Sequence, residues 1–232
     1  MTLANRDVLL FDFDGTLANT TACVMRTVRR VLAARGFTQK EMGDLSRFVG
    51  PPLVAAFRDI YGFSQTEAQQ VTAEYRAAFD ECTAKDYPAF EGLHDMLDEL
   101  VARGTRLAVA TSRLESRAKT MMEELAFTQF DVAYGLNPPA RMTKADAVRD
   151  TLAALGGDAT NALMVGDSHF DVEGATAFGI PCIGVTYGGT STEDELMAAG
   201  AVAVAHTVEE LRAMLLGSTE HAGMLRYHAW SR

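Results

Sequence analysis

Asp12 and Asp14 flank a single phenylalanine and are followed by Gly15-Thr16-Leu17. The apolar run Val8-Leu9-Leu10-Phe11 leads straight into this stretch and reads as a strand covered on both faces, the kind found in parallel sheets. In such sheets chemistry collects beyond the carboxyl ends of the strands. Gly15 lets the chain turn sharply, so both carboxylates can face one small volume. Two anions that close repel each other unless a cation lies between them or one is protonated. The pair therefore predicts a site for a hard metal ion and a reacting group. The plainer alternative is an acidic turn that merely ends a strand, since Asp and Gly are common there.

Three further segments decide between these readings. Leu107-Ala108-Val109-Ala110 ends in Thr111-Ser112, Thr143-Lys144 opens a helix after Pro138-Pro139, and Leu163-Met164-Val165 ends in Gly166-Asp167-Ser168-His169-Phe170-Asp171. Hydroxyls with free backbone N–H groups hold phosphate oxygens. A lysine beside them offsets negative charge. Extra carboxylates complete an oxygen-rich Mg²⁺ shell. Taken singly, these segments read as a helix cap, a solvated lysine and a common turn. Their order, each at the end of a strand or the start of a helix, favours a shared site. His169 reads as a surface residue, because Mg²⁺ prefers oxygen. Gly188-Gly189-Thr190 reads as a turn, since it lacks the lysine and full glycine pattern of a phosphate loop.

The elements that must position these groups fall into two patterns. Residues 19–85 carry helical spacing and no strand signal. They include a helix capped by Asn19-Thr20 and ended by Gly36, a second running from Pro52 or Leu53 to about Tyr61, and a third opened by the capping box Ser64-Gln65-Thr66-Glu67 and reaching about Thr83. Strands and helices then alternate: strands at 106–110, 132–134, 162–165, 182–185 and 202–205, helices at about 93–103, 114–126, 143–155, 170–178, 193–199 and 208–215. Such alternation predicts an α/β fold, a doubly wound parallel sheet, with a small helical cap domain. The expected division is a core of residues 1–18 and 89–217, a cap of residues 19–88 and a tail of residues 218–232. The tail holds Arg226-Tyr227-His228-Ala229-Trp230 and shows no clear period.

Composition narrows the function. The net charge of −10 argues against a nucleic acid polymer as partner. Residues 19–90 are net +1 and the remainder net −11, which suits a lid over an anionic substrate. No apolar run has the length of a membrane helix and no leader precedes the first strand, so a cytoplasmic location is expected. Cys23, Cys82 and Cys182 are odd in number and far apart, and are expected to be reduced thiols.

In its combination of motifs the sequence resembles the haloacid dehalogenase-like hydrolases, in the subgroup whose helical cap lies between the first two motifs. Asp12-Phe13-Asp14-Gly15-Thr16-Leu17 is similar to the first motif, Thr111 to the second, Lys144 to the third, and Gly166-Asp167-Ser168 with Asp171 to the fourth. The likeness covers about residues 7–215. It implies a Mg²⁺-dependent phosphatase with a Rossmann-like core. By that likeness Asp12 is the nucleophile that forms an aspartyl-phosphate and Asp14 is the general acid/base. Gly15, Thr111, Ser112 and Lys144 bind the phosphoryl group. The metal is held by Asp12, the Asp14 backbone carbonyl and Asp167, with Asp171 in support.

Asp14 favours phosphate over halide chemistry, because relatives that cleave carbon–halogen bonds lack it. The segment 19–88 holds no histidine, unlike the caps of sugar phosphomutases, and its only lysines, Lys40 and Lys85, lie outside the loop where phosphonate-cleaving relatives carry theirs. Phe48-Val49-Gly50-Pro51-Pro52-Leu53 resembles the cap loop of 5′-nucleotidase-like and phosphoglycolate phosphatase-like members, and Tyr75-Arg76 leans the same way. Ser168-His169 between the last two aspartates departs from the usual nucleotidase-like fourth motif. Arg47 and Arg76 are the expected cap contacts to substrate. The expected partner is a small phosphorylated metabolite, a nucleotide, sugar phosphate or phosphoglycolate, and the expected state a monomer or weak homodimer. The alternatives are a phosphomutase and a catalytically idle binding module.

Overall fold

A computed structural model describes residues 3–156 and 160–217 of the chain. The segment Arg226–Trp230 singled out above lies outside the described residues. The first strand, β1 (Val8–Phe11), is continuous apolar sequence and sits at the centre of a six-stranded sheet. The others are β2 (Arg106–Leu114), β3 (Val132–Leu136), β4 (Ala162–Gly166), β5 (Cys182–Val185) and β6 (Ala203–Ala205). Their order is β3-β2-β1-β4-β5-β6, with every neighbouring pair parallel.

The two-residue period of a strand sends alternate side chains to opposite faces. Leu9 and Phe11 of β1, Leu107 and Val109 of β2, and Leu163 and Val165 of β4 therefore join one apolar cluster. Leu10, Ala110 and Met164 join the other. The cores over the two faces are closed by helices that follow the strands: α5 (Leu93–Ala102), α6 (Glu115–Glu124), α7 (Lys144–Ala154), α8 (His169–Thr176), α9 (Glu193–Ala199) and α10 (Val208–Leu216). The direction in which new strands are added reverses between β1 and β4, so a crevice opens beyond their carboxyl ends.

Between β1 and α5 the chain is helical: α1 (Thr21–Ala34), α2 (Gln39–Met42), a 3₁₀ helix at Leu45–Phe48, α3 (Leu53–Tyr61) and α4 (Gln65–Phe79). On α1 the buried residues Cys23, Val24, Thr27, Val28, Val31 and Leu32 follow the 3.6-residue period and form one apolar stripe. The capping box opens α4 as expected: Ser64 N–H donates to the Glu67 carboxylate at 2.9 Å and Glu67 N–H to Ser64 Oγ at 3.3 Å. Helix α4 stops at Phe79, four residues short of the expected end, where Asp80 caps it.

Two expectations need correction here. Strand β2 does not end at Ala110 but runs on, past a register shift, to Leu114. Cys23 and Cys82 are not separate thiols but a disulfide, whereas Cys182 is free and buried. Helices α1 and α4 pack on each other and so unite cysteines 59 positions apart, a proximity that no local pattern carries.

Candidate active site

The loop after β1 delivers Asp12 and Asp14 to the crevice. Asp12 N–H donates to the Val165 carbonyl at 2.9 Å, extending the β1–β4 ladder by one bond and fixing the first carboxylate beside β4. Gly15 turns the chain with φ +74°, and a Cβ there would lie 1.9 Å from Asp167 Oδ2. Only glycine permits that approach. The turn at Gly188 packs on this loop just as closely: a Cβ at Gly188 would meet the Gly15 carbonyl oxygen at 2.2 Å. Gly188-Gly189-Thr190 is thus a turn, and one on which the loop of residues 12–15 rests.

Lys144 is the first residue of α7, set there by a capping box between Thr143 and Asp146. Its ammonium is buried, 2.6 Å from Asp12 Oδ1 and 2.6 Å from Asp171 Oδ1, and donates to the Ala110 carbonyl at 2.9 Å. Asp171 has a second task. Its Oδ2 accepts from Ser168 N–H at 3.0 Å and Ser168 Oγ at 2.7 Å, capping α8. The glycines beside them leave room: a Cβ at Gly174 would lie 2.8 Å from Lys144 Cγ, and one at Gly166 would lie 2.3 Å from Asp171 Cγ.

One ligand oxygen each from Asp12, Asp167 and Asp171 fall within 4.8 Å of one another, and all three residues are buried. Burial, with Asp171 and Asp14 beside it, pushes the Asp12 carboxyl up to about 7 against the opposing pull of Lys144. Burial and the repulsion of Asp171 and Asp12 raise Asp167 well above the carboxylate range. Burial works against the Lys144 charge, but the facing carboxylates of Asp12 and Asp171 win and raise its pKa. Neither oxygen of Asp167 accepts a well-formed hydrogen bond. Buried carboxylate oxygens without donors carry a desolvation penalty that a cation relieves. The donor set is all oxygen, which fits Mg²⁺. The side chain of Asp14 lies outside this trio and faces elsewhere.

Asp14 is held by a residue that the sequence reading missed. Arg113 Nε donates to Asp14 Oδ2 at 2.9 Å and Nη2 to Oδ1 at 2.5 Å, a two-pronged ion pair with both side chains almost fully buried. The Arg113 guanidinium also lies over the Phe79 ring, 4.4 Å from its centroid. Burial opposes its charge, but Asp14 more than compensates and raises its pKa. The one signal for Arg113 was its place two residues after Thr111. On an extended strand, residues two apart face the same side.

A cleft of about 350 Å³ opens between this cluster and the helical segment. Asp12, Asp14, Thr111, Ser112 and Arg113 line its floor, and Phe48-Val49-Gly50-Pro51 with Leu53, Tyr75, Arg76 and Phe79 line the opposite wall. Thr111 is buried and its Oγ1 accepts from Arg113 N–H at 3.2 Å, whereas the buried Ser112 Oγ has no partner. The 48–53 loop therefore faces the cleft, and a Cβ at Gly50 would lie 3.3 Å from Ser168 Cβ, where the loop packs on the core. Arg76 stands on the cleft wall. Arg47 does not line the cleft, because the 3₁₀ helix buries Leu45 and Phe48 and leaves Arg47 exposed. Neither Lys40 nor Lys85 lines it, and His169 is exposed at the start of α8 against Phe170.

Fold and site together define a doubly wound α/β enzyme whose buried carboxylates cluster at the switch point of the sheet. The chain belongs to the haloacid dehalogenase-like hydrolases, whose family pattern matches residues 9–185. It is 36% identical over 192 residues to a 5′-nucleotidase of Pseudomonas aeruginosa, covering 82% of this chain and 86% of that protein. It is 30% identical to a phosphoglycolate phosphatase of Agrobacterium fabrum, over 78% of this chain and 81% of that one. Among solved structures it resembles a predicted phosphatase from Clostridium acetobutylicum with a TM-score of 0.85 and 32% identity, covering 93% of this chain and all of that one. These likenesses place it in the phosphatase branch of the family.

Proposed function

We propose that this enzyme is a Mg²⁺-dependent phosphatase of small phosphomonoesters that works through a phosphorylated Asp12. The observation that carries the reading is the position of the Lys144 ammonium, 2.6 Å from both Asp12 and Asp171 and beside the unpaired carboxylate of Asp167. Phosphoryl transfer needs a positioned nucleophile and neutralised charge more than elaborate covalent chemistry, and this arrangement supplies both. Asp12, Asp167 and, behind them, Asp171 with the Asp14 carbonyl would hold Mg²⁺, which supplies charge neutralisation at the reacting phosphoryl group.

Asp12 attacks phosphorus in line with the departing alcohol oxygen. Thr111, Ser112 and the backbone N–H groups around Gly15 orient the phosphoryl oxygens, and Lys144 keeps Asp12 aligned and offsets negative charge. Asp14 gives a proton to the leaving oxygen, then takes one from the water that cleaves the acyl phosphate. Residues 19–88 act as a cap that closes over the cleft during transfer and opens to release the alcohol. Its wall lacks histidine, which favours a phosphatase over a phosphomutase.

The test is hydrolysis of an aryl phosphate with and without Mg²⁺ by wild type and Asp12→Asn. Turnover is expected only in wild type with metal, together with ³²P label trapped on Asp12 after acid quench. Equal turnover by Asp12→Asn, or label on another side chain, overturns the assignment.

A further inference from the structure

The ion pair between Asp14 and Arg113 conflicts with the role just given to Asp14. A carboxylate that accepts two hydrogen bonds from one guanidinium has one lone pair of each oxygen engaged and its orientation fixed on that partner. In this arrangement the Asp14 oxygens are turned toward Arg113 rather than toward a leaving group. Asp14 can act only after Arg113 has let go, and a buried guanidinium lets go only toward another anion. Water at an open surface would satisfy it, but the Arg113 side chain is only 11% exposed. The replacement partner must therefore enter with the substrate.

The surroundings of Arg113 suit such an exchange. Its guanidinium borders the cleft and lies over Phe79, with the Tyr75 hydroxyl as a neutral acceptor beside it. Thr111 and Arg113 lie two residues apart in β2 and both line the cleft floor, with Arg113 N–H donating to Thr111 Oγ1 at 3.2 Å. A group held by Arg113 is then a few bonds from a phosphorus held at Thr111. Arg76 lines the same cleft, and among the described residues no carboxylate stands within salt-bridge distance of it. Of the three arginines lining the cleft, Arg117 is paired with Asp80 and Glu124, Arg76 has no counter-ion among the described residues, and Arg113 has as its counter-ion the group needed for catalysis.

We propose that Arg113 is a positioning residue that senses a second anionic group on the substrate: that group takes over the guanidinium and so releases Asp14 to serve the leaving oxygen. The inference rests on the phosphatase reading above and narrows it to phosphomonoesters of short alcohols that bear a carboxylate or second phosphate. Esters of uncharged alcohols enter the cleft but leave Asp14 bound to Arg113. They lose the contact with Arg113 in binding and the freed Asp14 in the chemical step, and the second loss falls on poor leaving groups, which need a proton.

The experiment compares three phosphate esters of two-carbon alcohols ending in a carboxylate (2-phosphoglycolate), a second phosphate or an uncharged amide, with 4-nitrophenyl phosphate as an ester whose leaving group needs no proton. Wild type is expected to favour one of the charged esters over the amide by about 30-fold or more in kcat/KM, the scale of a charge-assisted bidentate contact. The favoured one identifies the second anion, and the difference is shared between KM and kcat. In Arg113→Gln the preference collapses to within about threefold, and Arg113→Lys, which keeps charge without the fork, falls between. Equal turnover of the amide by wild type, or a preference that survives in Arg113→Gln, overturns the proposal. Calorimetry in the inert Asp12→Asn background keeps this separable from the phosphatase reading. There the favoured charged ester binds at least tenfold tighter than the amide, and the difference vanishes when Arg113→Gln is added with Asp14→Asn, so that no buried charge is left unpaired. Equal binding of charged and uncharged esters in Asp12→Asn refutes the anion sensor whether or not turnover is seen. Absence of turnover with 4-nitrophenyl phosphate refutes only the phosphatase.

Discussion

At the scale of single residues, the site is a set of close approaches that particular side chains alone allow. Gly15 is the sharpest case. Its positive φ and the 1.9 Å that would separate a Cβ from Asp167 Oδ2 impose two separate penalties. Gly36, at the end of α1, has φ +86° but nothing within 4 Å of where a Cβ would stand, so it bears only the backbone penalty. Gly36→Ala is expected to destabilise by about 1–2 kcal/mol with activity retained. Gly15→Ala is expected to abolish activity and lose more stability than Gly36→Ala, since Asp167 must be displaced as well. Denaturant melts and Mg²⁺-dependent turnover of the two variants check this, and equal behaviour would contradict it. The carboxylates and Lys144 were legible in the sequence because each stands where an apolar run stops or a helix begins. Arg113 was not, because the apolar run of β2 stops at Ala110 while its hydrogen bonding does not. The place of Arg47, exposed and off the cleft wall, was not legible for a related reason: the period of a short 3₁₀ turn is not visible in four residues.

At the scale of elements, strands were read well and the joints between helices poorly. Runs such as Val8–Phe11 and Cys182–Val185 carry their own boundaries because burial on both faces demands continuous apolar sequence. The helices between β1 and α5 are set by packing on one another, and sequence shows each apolar stripe without its partner. The link between α1 and the chain just after α4 is the clearest product of that packing. It crosses 59 positions, and Arg26 lies beside it, with Nη2 3.7 Å from Cys23 Sγ, 3.6 Å from Cys82 Sγ and 2.6 Å from Asp86 Oδ1. A cross-link over a loop of this length stabilises by about 2–4 kcal/mol, chiefly by restricting the unfolded chain. Dithiothreitol is expected to lower the melting temperature of wild type and to leave Cys23→Ser/Cys82→Ser unmoved. A wild-type melt that does not respond to reductant would show that the two cysteines stand as thiols.

At the scale of the whole molecule, the acidic site is a source of instability that the fold tolerates for its chemistry. Asp12, moved from 3.8 to about 7, and Asp167, raised well above its usual value, both have folded pKa values above those of the unfolded chain. Between the usual carboxylate range and about pH 7 the unfolded chain therefore gives up these protons before the folded one does, and stability falls as pH rises through that window. Carboxylates shifted the other way, such as Glu67 and Asp146 in their capping boxes, give stability that is already complete above the usual carboxylate range. Lys144, raised in the fold, gives stability that is lost only above the usual lysine range, so neither set cancels the trend. Divalent metal is expected to reverse the sign. An ion held by the ionised oxygens would displace protons and stabilise only the folded chain, so its effect would grow with pH. Metal-free protein is expected to melt lower at about pH 8 than at about pH 5.5, with Mg²⁺ raising the melting temperature more at the higher pH. Asp12→Asn removes one of the repelling charges. Without metal at about pH 8 it is expected to be more stable than wild type while inactive, the exchange of stability for function common at active sites. Differential scanning calorimetry at the two pH values, with EDTA or with Mg²⁺, separates these terms. A metal-free wild type that gains stability over this range, or an Asp12→Asn variant less stable than it at high pH, would mean that Lys144 already balances the cluster and that no cation is needed to hold it together.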